Sequence, residues 1–400
     1  MEGIMLVPGG FRRLRILTLF LTLVPAALAS NTWFVDGVNG SDNNNCRSHQ
    51  HACKTISNAI LLTLPGDSIF VAPATYREFL FIPFELKIVG SGAKTTILDG
   101  GGVSQVVVIG SEPRVQVTLS QMTFRHGGGT ADGGGVYNCF GTLTVIDSVI
   151  TGNRIRSGNG ADGYGAGIYN CPSSTLTLIN TTISENSAEV GGAICNGGAL
   201  TIINSTFSGN VARQHRGGAI GNYGLLIITN STFNANSSGS SGQAGGILNG
   251  GLFQSSGMLL INNGTLRGNT AGEGRGGGIF NVKGSTVVLR NTIVASNTGG
   301  NCRGTITSGG SNLSSDESCS FAGAGDLNGI DPKLGPLQNN GGPTDTMALL
   351  PGSPAIDAGN PGGCTDGQGH LLKTDQRGKP RPDKEDAGGC DIGAYESQSD

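Results

Sequence analysis

Six segments of the chain repeat one pattern: two alternating apolar residues, then Asn or Asp, then an apolar residue, then Asn. They are Leu143/Val145/Asp147/Ile150/Asn153, Leu176/Leu178/Asn180/Ile183/Asn186, Leu200/Ile202/Asn204/Phe207/Asn210, Leu226/Ile228/Asn230/Phe233/Asn236, Leu259/Ile261/Asn263/Leu266/Asn269 and Val287/Leu289/Asn291/Val294/Asn297. A degenerate copy, Val117/Leu119/Gln121/Phe124, precedes them. Before each copy stands a Gly-rich turn, an apolar residue, any residue and Asn. That series is Val136/Asn138, Ile168/Asn170, Ile194/Asn196, Ile220/Asn222, Ile247/Asn249 and Ile279/Asn281. Its Asn-to-Asn steps are 32, 26, 26, 27 and 32 residues, which fits one coil per repeat with insertions in a single loop.

Alternation with a period of two places every second side chain on one face. Strands this short cannot bury that face alone. Coils stacked about 4.8 Å apart let Ile sit on Ile and Leu on Leu, and the column becomes the core. No segment between the glycines sustains a 3.6-residue period, so helical repeats fail. The sequence therefore predicts an all-β fold, a right-handed parallel β-helix. Gly at 70 of 400 residues without a G-X-Y period excludes collagen, and 36% apolar residues suit a thin stacked core. Asn138, Asn170, Asn196, Asn222, Asn249 and Asn281 read as a structural ladder, bonding to one another along the stack. Asn180, Asn204, Asn230, Asn236 and Asn263 also head N-x-Ser/Thr triplets, read here as repeat consensus rather than glycosylation signals.

The ends differ. Residues 1–29 read as a secretory signal: Arg12, Arg13 and Arg15, a short apolar run, then Ala27-Leu28-Ala29. Residues 30–110 read as an N-terminal cap and the first coils. The cap is a short helix with Ile56, Ala59, Ile60 and Leu64 on one face, ended by Pro65-Gly66. Residues 111–300 hold the regular repeats. Residues 301–400 read as closing coils and an irregular tail packed on the stack. Without the signal no long apolar run is left, so no membrane span is expected. The formal charge, −3 for the whole chain, becomes slightly more negative once those arginines leave with Glu2. This argues against nucleic acid as a partner.

Nine cysteines in an exported chain point to disulfides with one thiol left over. Cys46 with Cys53, Cys302 with Cys319 and Cys364 with Cys390 are the expected pairs. Cys46, His49, His51 and Cys53 have zinc-like spacing, against which an exported chain favours the disulfide. Cys139 and Cys171 share a repeat position and either bond or pack. Cys195 is the expected free thiol.

Gly191-Gly192-Ala193-Ile194 and Gly217-Gly218-Ala219-Ile220, each near a Phe-x-x-Asn such as Phe207 to Asn210, resemble the repeat of chlamydial polymorphic outer-membrane proteins, over roughly residues 110–300. The β-barrel of that family is not seen, so autotransport is not implied. The tail motifs Asn340-Gly341-Gly342-Pro343-Thr344, Ala348-Leu349-Leu350-Pro351-Gly352-Ser353-Pro354-Ala355-Ile356-Asp357-Ala358-Gly359, Asp375-Gln376-Arg377-Gly378 and Asp391-Ile392-Gly393-Ala394-Tyr395-Glu396 resemble the choice-of-anchor Q domain of exported bacterial β-helix proteins. That resemblance implies a secreted or cell-surface monomer and names no reaction.

Asp132 and Asp162 stand in successive Ala-Asp-Gly triplets of the Gly-rich loop, and Glu189 falls near the same place. Stacked, such carboxylates could hold Ca²⁺; otherwise they are a solvated loop edge. No catalytic residue is assigned, and no other cofactor is implied. Arg377, Tyr395 and Trp33 read as structural, and Tyr137 and Tyr169, at one repeat position, as a stack outside the coil. Two functional readings remain. One is non-enzymatic adhesion to an extracellular polysaccharide or to a host or matrix surface. The other is a carbohydrate-active enzyme, a lyase of the pectate-lyase kind or a glycoside hydrolase, which fold alone does not establish.

Overall fold

In the computed structural model, which describes residues 30–110, 115–129, 132–156, 163–251, 256–383 and 389–398, each repeat is one coil of a right-handed parallel β-helix. A coil has three short faces. In one coil the first face is Thr142–Ile146, the second Val149–Thr151 and the third Ile168–Asn170. On these three faces the coils pair in parallel and in register; only the loop strands Ser187–Val190 and Val211–Arg216 shift register. Leu143, Leu176, Leu200, Leu226, Leu259 and Val287 form one inward column. Ile150, Ile183, Phe207, Phe233, Leu266 and Val294 form another, in which the Phe207 and Phe233 rings stack 4.6 Å apart. On the third face Val136, Ile168, Ile194, Ile220, Ile247 and Ile279 do the same. These side chains are fully buried in one continuous core from Trp33 to Phe321.

The repeat asparagines hold the corners, in three ways. Between the first and second faces, Gln121, Asp147, Asn180, Asn204, Asn230, Asn263 and Asn291 adopt φ of 46–58°, the left-handed turn that Asn tolerates. After the third face the expected ladder is present. Each Nδ2 donates to the next Oδ1 at 2.8–2.9 Å, from Asn138 through Asn170, Asn196, Asn222 and Asn249 to Asn281. A second ladder follows the second face, from Asn153 through Asn186, Asn210, Asn236 and Asn269 to Asn297, each donating at 2.8–3.0 Å. Asn236, in one of the glycosylation-like triplets, is a fully buried rung of it.

The N-terminal helix α1, Ile56–Leu62, buries Ile56, Ala59 and Ile60 over the first coil, and Thr55 caps it by accepting the Asn58 N–H. Leu64, expected on that face, is 58% exposed. The helix stops two residues earlier, at a Thr63 whose ψ of 158° is extended, so the 3.6-residue period no longer governs position 64. No helix among the described residues is long and apolar enough to cross a membrane.

The tail is mostly irregular, as expected, and packs on the stack. An antiparallel pair, Leu334–Gln338 with Thr346–Leu349, leads into it. The motifs quoted above then converge on the corner between the first and second faces. Gln376 Nε2 donates to Thr206 Oγ1 (2.8 Å) and Thr344 Oγ1 (2.9 Å), and its Oε1 accepts from Thr232 (2.7 Å). Arg381 is fully buried; it pairs with Glu396 at 2.6 Å and donates to Asn230 Oδ1 and the Gly393 carbonyl. Arg377 pairs with Asp375 at 2.7 Å and lies over the Tyr395 ring. The corner asparagines are thus the docking edge for the tail, and Gln376, Arg377, Arg381 and Glu396 are its lock.

Burial, opposed by the N–H groups of Ser397 and Asp357, lifts the Asp391 carboxyl to about 6. Burial, opposed by Arg381, lifts Glu396 to about 7. Both values exceed those of the unfolded chain, so the docked tail retains protons that the free tail releases. Their contribution to docking is complete below about pH 4 and is lost as pH rises through 6 and 7. Amide exchange over residues 390–396, corrected for intrinsic rates, should be faster at about pH 8 than at about pH 5; equal or greater protection at the higher pH would contradict this assignment.

Candidate functional site

Among the described residues, the loop carboxylates Asp132 and Glu189 do not form a cluster. The Gly133 N–H donates to the Tyr164 carbonyl, and Gly165 in turn to that of Val190. This register sets Gly133, Gly165 and Gly191 in one column, each with φ near 60°. Asp132 therefore stands at the level of Tyr164, and Glu189 lies one place off that column. Asp162 itself lies outside the described residues. Asp132 accepts the Tyr164 N–H at 2.8 Å, and burial raises its pKa. Glu189 pairs with Arg213 at 2.8 Å. Among the described residues no three His, Cys, Asp or Glu side chains are grouped to hold a metal ion.

The cysteines are spoken for as well. Cys46–Cys53, Cys139–Cys171, Cys302–Cys319 and Cys364–Cys390 are disulfides. The Cys139–Cys171 bond staples two neighbouring coils. Cys195 is the free thiol, buried on the outer side of the third face, and burial pushes its pKa far up. With Cys46 and Cys53 bonded, no thiolate remains for zinc. His49 instead packs its ring 4.3 Å from Phe34.

A site that the sequence did not disclose lies where the second face ends in the early coils. Tyr76 pairs with Leu98, and Asp99 pairs with Arg125, so Arg77, Asp99 and Arg125 stand in one outward column. One coil on, the chain from Asn153 runs extended with Ile155 buried, which turns Arg154 and Arg156 outward beside it. Together with His126 and Glu185 these residues line a groove of about 730 Å³.

Asp99 organises the groove. It is 7% exposed and accepts Arg125 Nε at 2.9 Å, the Gly101 N–H at 3.0 Å and His126 Nδ1 at 3.2 Å. Burial opposes its ionisation. The Gly101 N–H, Arg125 and His126 together outweigh burial and hold the carboxyl below its ordinary value. A carboxylate held at Nδ1 makes that nitrogen the donor to Asp99 and turns Nε2 outward. Gly152, at φ 64°, keeps the space beside that ring open; a Cβ there would stand 3.5 Å from His126 Cδ2. Asp99 neutralises Arg125. Arg77, Arg154 and Arg156 have no carboxylate partner among the described residues, and only Glu185 stands against them. The groove is cationic on a chain that is acidic overall.

Site and fold define a parallel β-helix with a groove lined by four arginines. No protein-family model matches the chain, and no curated protein does. Solved structures do. A pectate lyase, Pel9A, is 16% identical with a TM-score of 0.50, covering 92% of this chain and 97% of its own. A pectin methylesterase mutant in complex with a hexasaccharide is 14% identical with a TM-score of 0.35, covering 60% of this chain and 80% of its own. A GH136 lacto-N-biosidase from Eubacterium ramulus is 11% identical with a TM-score of 0.35, covering 71% and 64%. At these identities the first likeness shows the parallel β-helix and nothing of the chemistry.

Proposed function

We propose that this is an exported β-helix protein that holds an acidic polysaccharide along the arginine groove. One observation carries the reading: four arginines from neighbouring coils converge on one groove, and one of them is fixed by a buried carboxylate. Guanidinium groups match carboxylates in planar, bidentate fashion. The coil rise, about 4.8 Å, is close to the length of one sugar unit in an extended chain, so successive coils can meet successive carboxylates. Four disulfides support an oxidising compartment and, with residues 1–29, export. The likeness of the tail to the choice-of-anchor Q domain, and of the repeats to chlamydial outer-membrane proteins, supports a place at the cell surface.

Titration calorimetry with hexuronate oligosaccharides tests the groove. Arg77→Ala with Arg154→Ala removes two exposed cations and leaves Asp99, Arg125 and His126 intact. Each charge-assisted bond contributes roughly 1.5–3 kcal/mol, so affinity should fall at least tenfold and depend less on salt. Unchanged affinity, or equal binding of neutral glycans, would refute the proposal. A chelator should leave binding unchanged, since Asp132 and Glu189 already have protein partners.

A second reading, cleavage of the bound polysaccharide, is favoured by the Asp99–His126 pair, in which Asp99 orients the ring with Nε2 toward the groove, where a general base would stand. Release of reducing ends that His126→Ala abolishes, with oligosaccharide binding retained, would establish it.

A further inference from the structure

The outward column of the third face is unlike the others. It runs Tyr137, Tyr169, Cys195, Gly221, Leu248, Phe280 and Arg303, paired in that order from coil to coil. Tyr137 and Tyr169 stack at 5.7 Å. Gly221 leaves room for Tyr223, whose hydroxyl would lie 2.9 Å from a Cβ at that position. Beyond Tyr223 the column opens into a trough of about 470 Å³. Leu248 and half-buried Phe280 form its floor, Arg216 and Lys283 stand on its rims, and Arg303 closes its end. No carboxylate lines it, and none of the three cations has a carboxylate partner among the described residues.

An apolar floor between cationic rims suits a ring with an apolar face and an anionic edge. Sugar C–H groups pack on an aromatic face, while guanidinium and ammonium groups take the acid. We infer that the trough is a second binding site for an acidic sugar, separate from the arginine groove. The groove belongs to the early coils at the end of the second face, and the trough to the coils of Leu248 and Phe280 on the third face. Four coil steps, from Val136 to Ile247, separate the levels of the two sites, about 20 Å along the axis. Two sites on different faces take two polysaccharide chains, so the protein cross-links its ligand. The site stands on its own geometry; the cross-linking rests also on the function proposed above.

The experiment uses the full exported chain, a short hexuronate oligomer and a long hexuronate polymer. Calorimetry of the unaltered protein should give two oligomers per chain. Lys283→Ala with Arg303→Ala, both exposed, should remove one of them, with at least a tenfold loss at that site. Phe280→Ala should do the same, with the far-ultraviolet dichroism unchanged. With the polymer, the unaltered protein should raise light scattering sharply, and either single-site variant should bind without doing so. One oligomer per chain that Lys283→Ala with Arg303→Ala leaves untouched would overturn the second site. If that pair abolishes all binding while Arg77→Ala with Arg154→Ala changes nothing, the trough stands and the groove falls.

Discussion

Arg381→Ala should free the tail from the coils and lower stability by on the order of 3–5 kcal/mol, the usual loss when one partner of a buried ion pair is removed. The side chain is fully buried and serves three acceptors: Glu396 at 2.6 Å, Asn230 Oδ1 at 3.0 Å and the Gly393 carbonyl at 2.9 Å. Alanine leaves all three without this donor at a buried position. The system has two ways out. Glu396 takes up a proton, or the segment around Gly393 lifts away and exposes Ile392, which packs with Ile293 and Leu313. Urea unfolding at about pH 8, together with mapping of protease cuts after residue 370, measures both. Arg381→Met combined with Glu396→Leu removes both charges at similar volume and should cost much less. A loss below about 1 kcal/mol for Arg381→Ala, with no new cuts, would show that the lock is not there.

The second large effect belongs to Asn210, in the middle of the ladder behind the second face. Its Oδ1 accepts from Asn186 through both Nδ2 (3.0 Å) and the backbone N–H (3.1 Å). Its Nδ2 donates to Asn236 Oδ1 (2.8 Å) and to the Ile183 carbonyl (2.9 Å). Asn210→Ala strands the Asn186 backbone N–H, leaves Asn186 Nδ2 with only the Ile150 carbonyl, and takes the side-chain donor from the Ile183 carbonyl inside the coil. An unsatisfied buried group costs about 1–3 kcal/mol, so a loss on the order of 3–5 kcal/mol is expected. The damage should be local, because each coil rests only on its neighbours. Hydrogen exchange should show lost protection in the coils of Asn186 and Asn236 before it reaches α1. Asn180→Gly is the control: that asparagine needs only a left-handed φ, which glycine supplies, and its bond to Asp147 is exposed. Its loss should stay under about 1 kcal/mol. Equal effects at the two positions would refute the ladder as a source of stability.

What was legible in the sequence was whatever the coils repeat. Ile194, Ile220 and Ile247, and the asparagines two places after them, recur because each coil meets the same demand, so register followed from the pattern. The three disulfides Cys46–Cys53, Cys302–Cys319 and Cys364–Cys390 were readable because each closes a stretch with little core. The arginine groove was hidden for the opposite reason. Arg77, Asp99, Arg125 and Arg154 lie tens of residues apart and share no motif; only the stacking brings them together. A signal was present nonetheless. Where later coils place Thr151, Ser184 and Ser208, this coil has Arg125. A departure from a repeat marks what that coil does beyond stacking. Asp132 and Asp162 share a local triplet, but Asp162 lies outside the described residues, so the triplet alone carries no site. Leu64 misled because a helical face was extended past the helix end.

A crystal structure of the protein with a hexuronate trisaccharide tests the central claim most directly. The sugar should lie along the second-face corner, its carboxylates against the guanidinium groups of Arg77, Arg125 and Arg154, with Asp99 still holding Arg125. A trisaccharide seated away from these arginines, or a groove left empty at saturating ligand, would contradict the account.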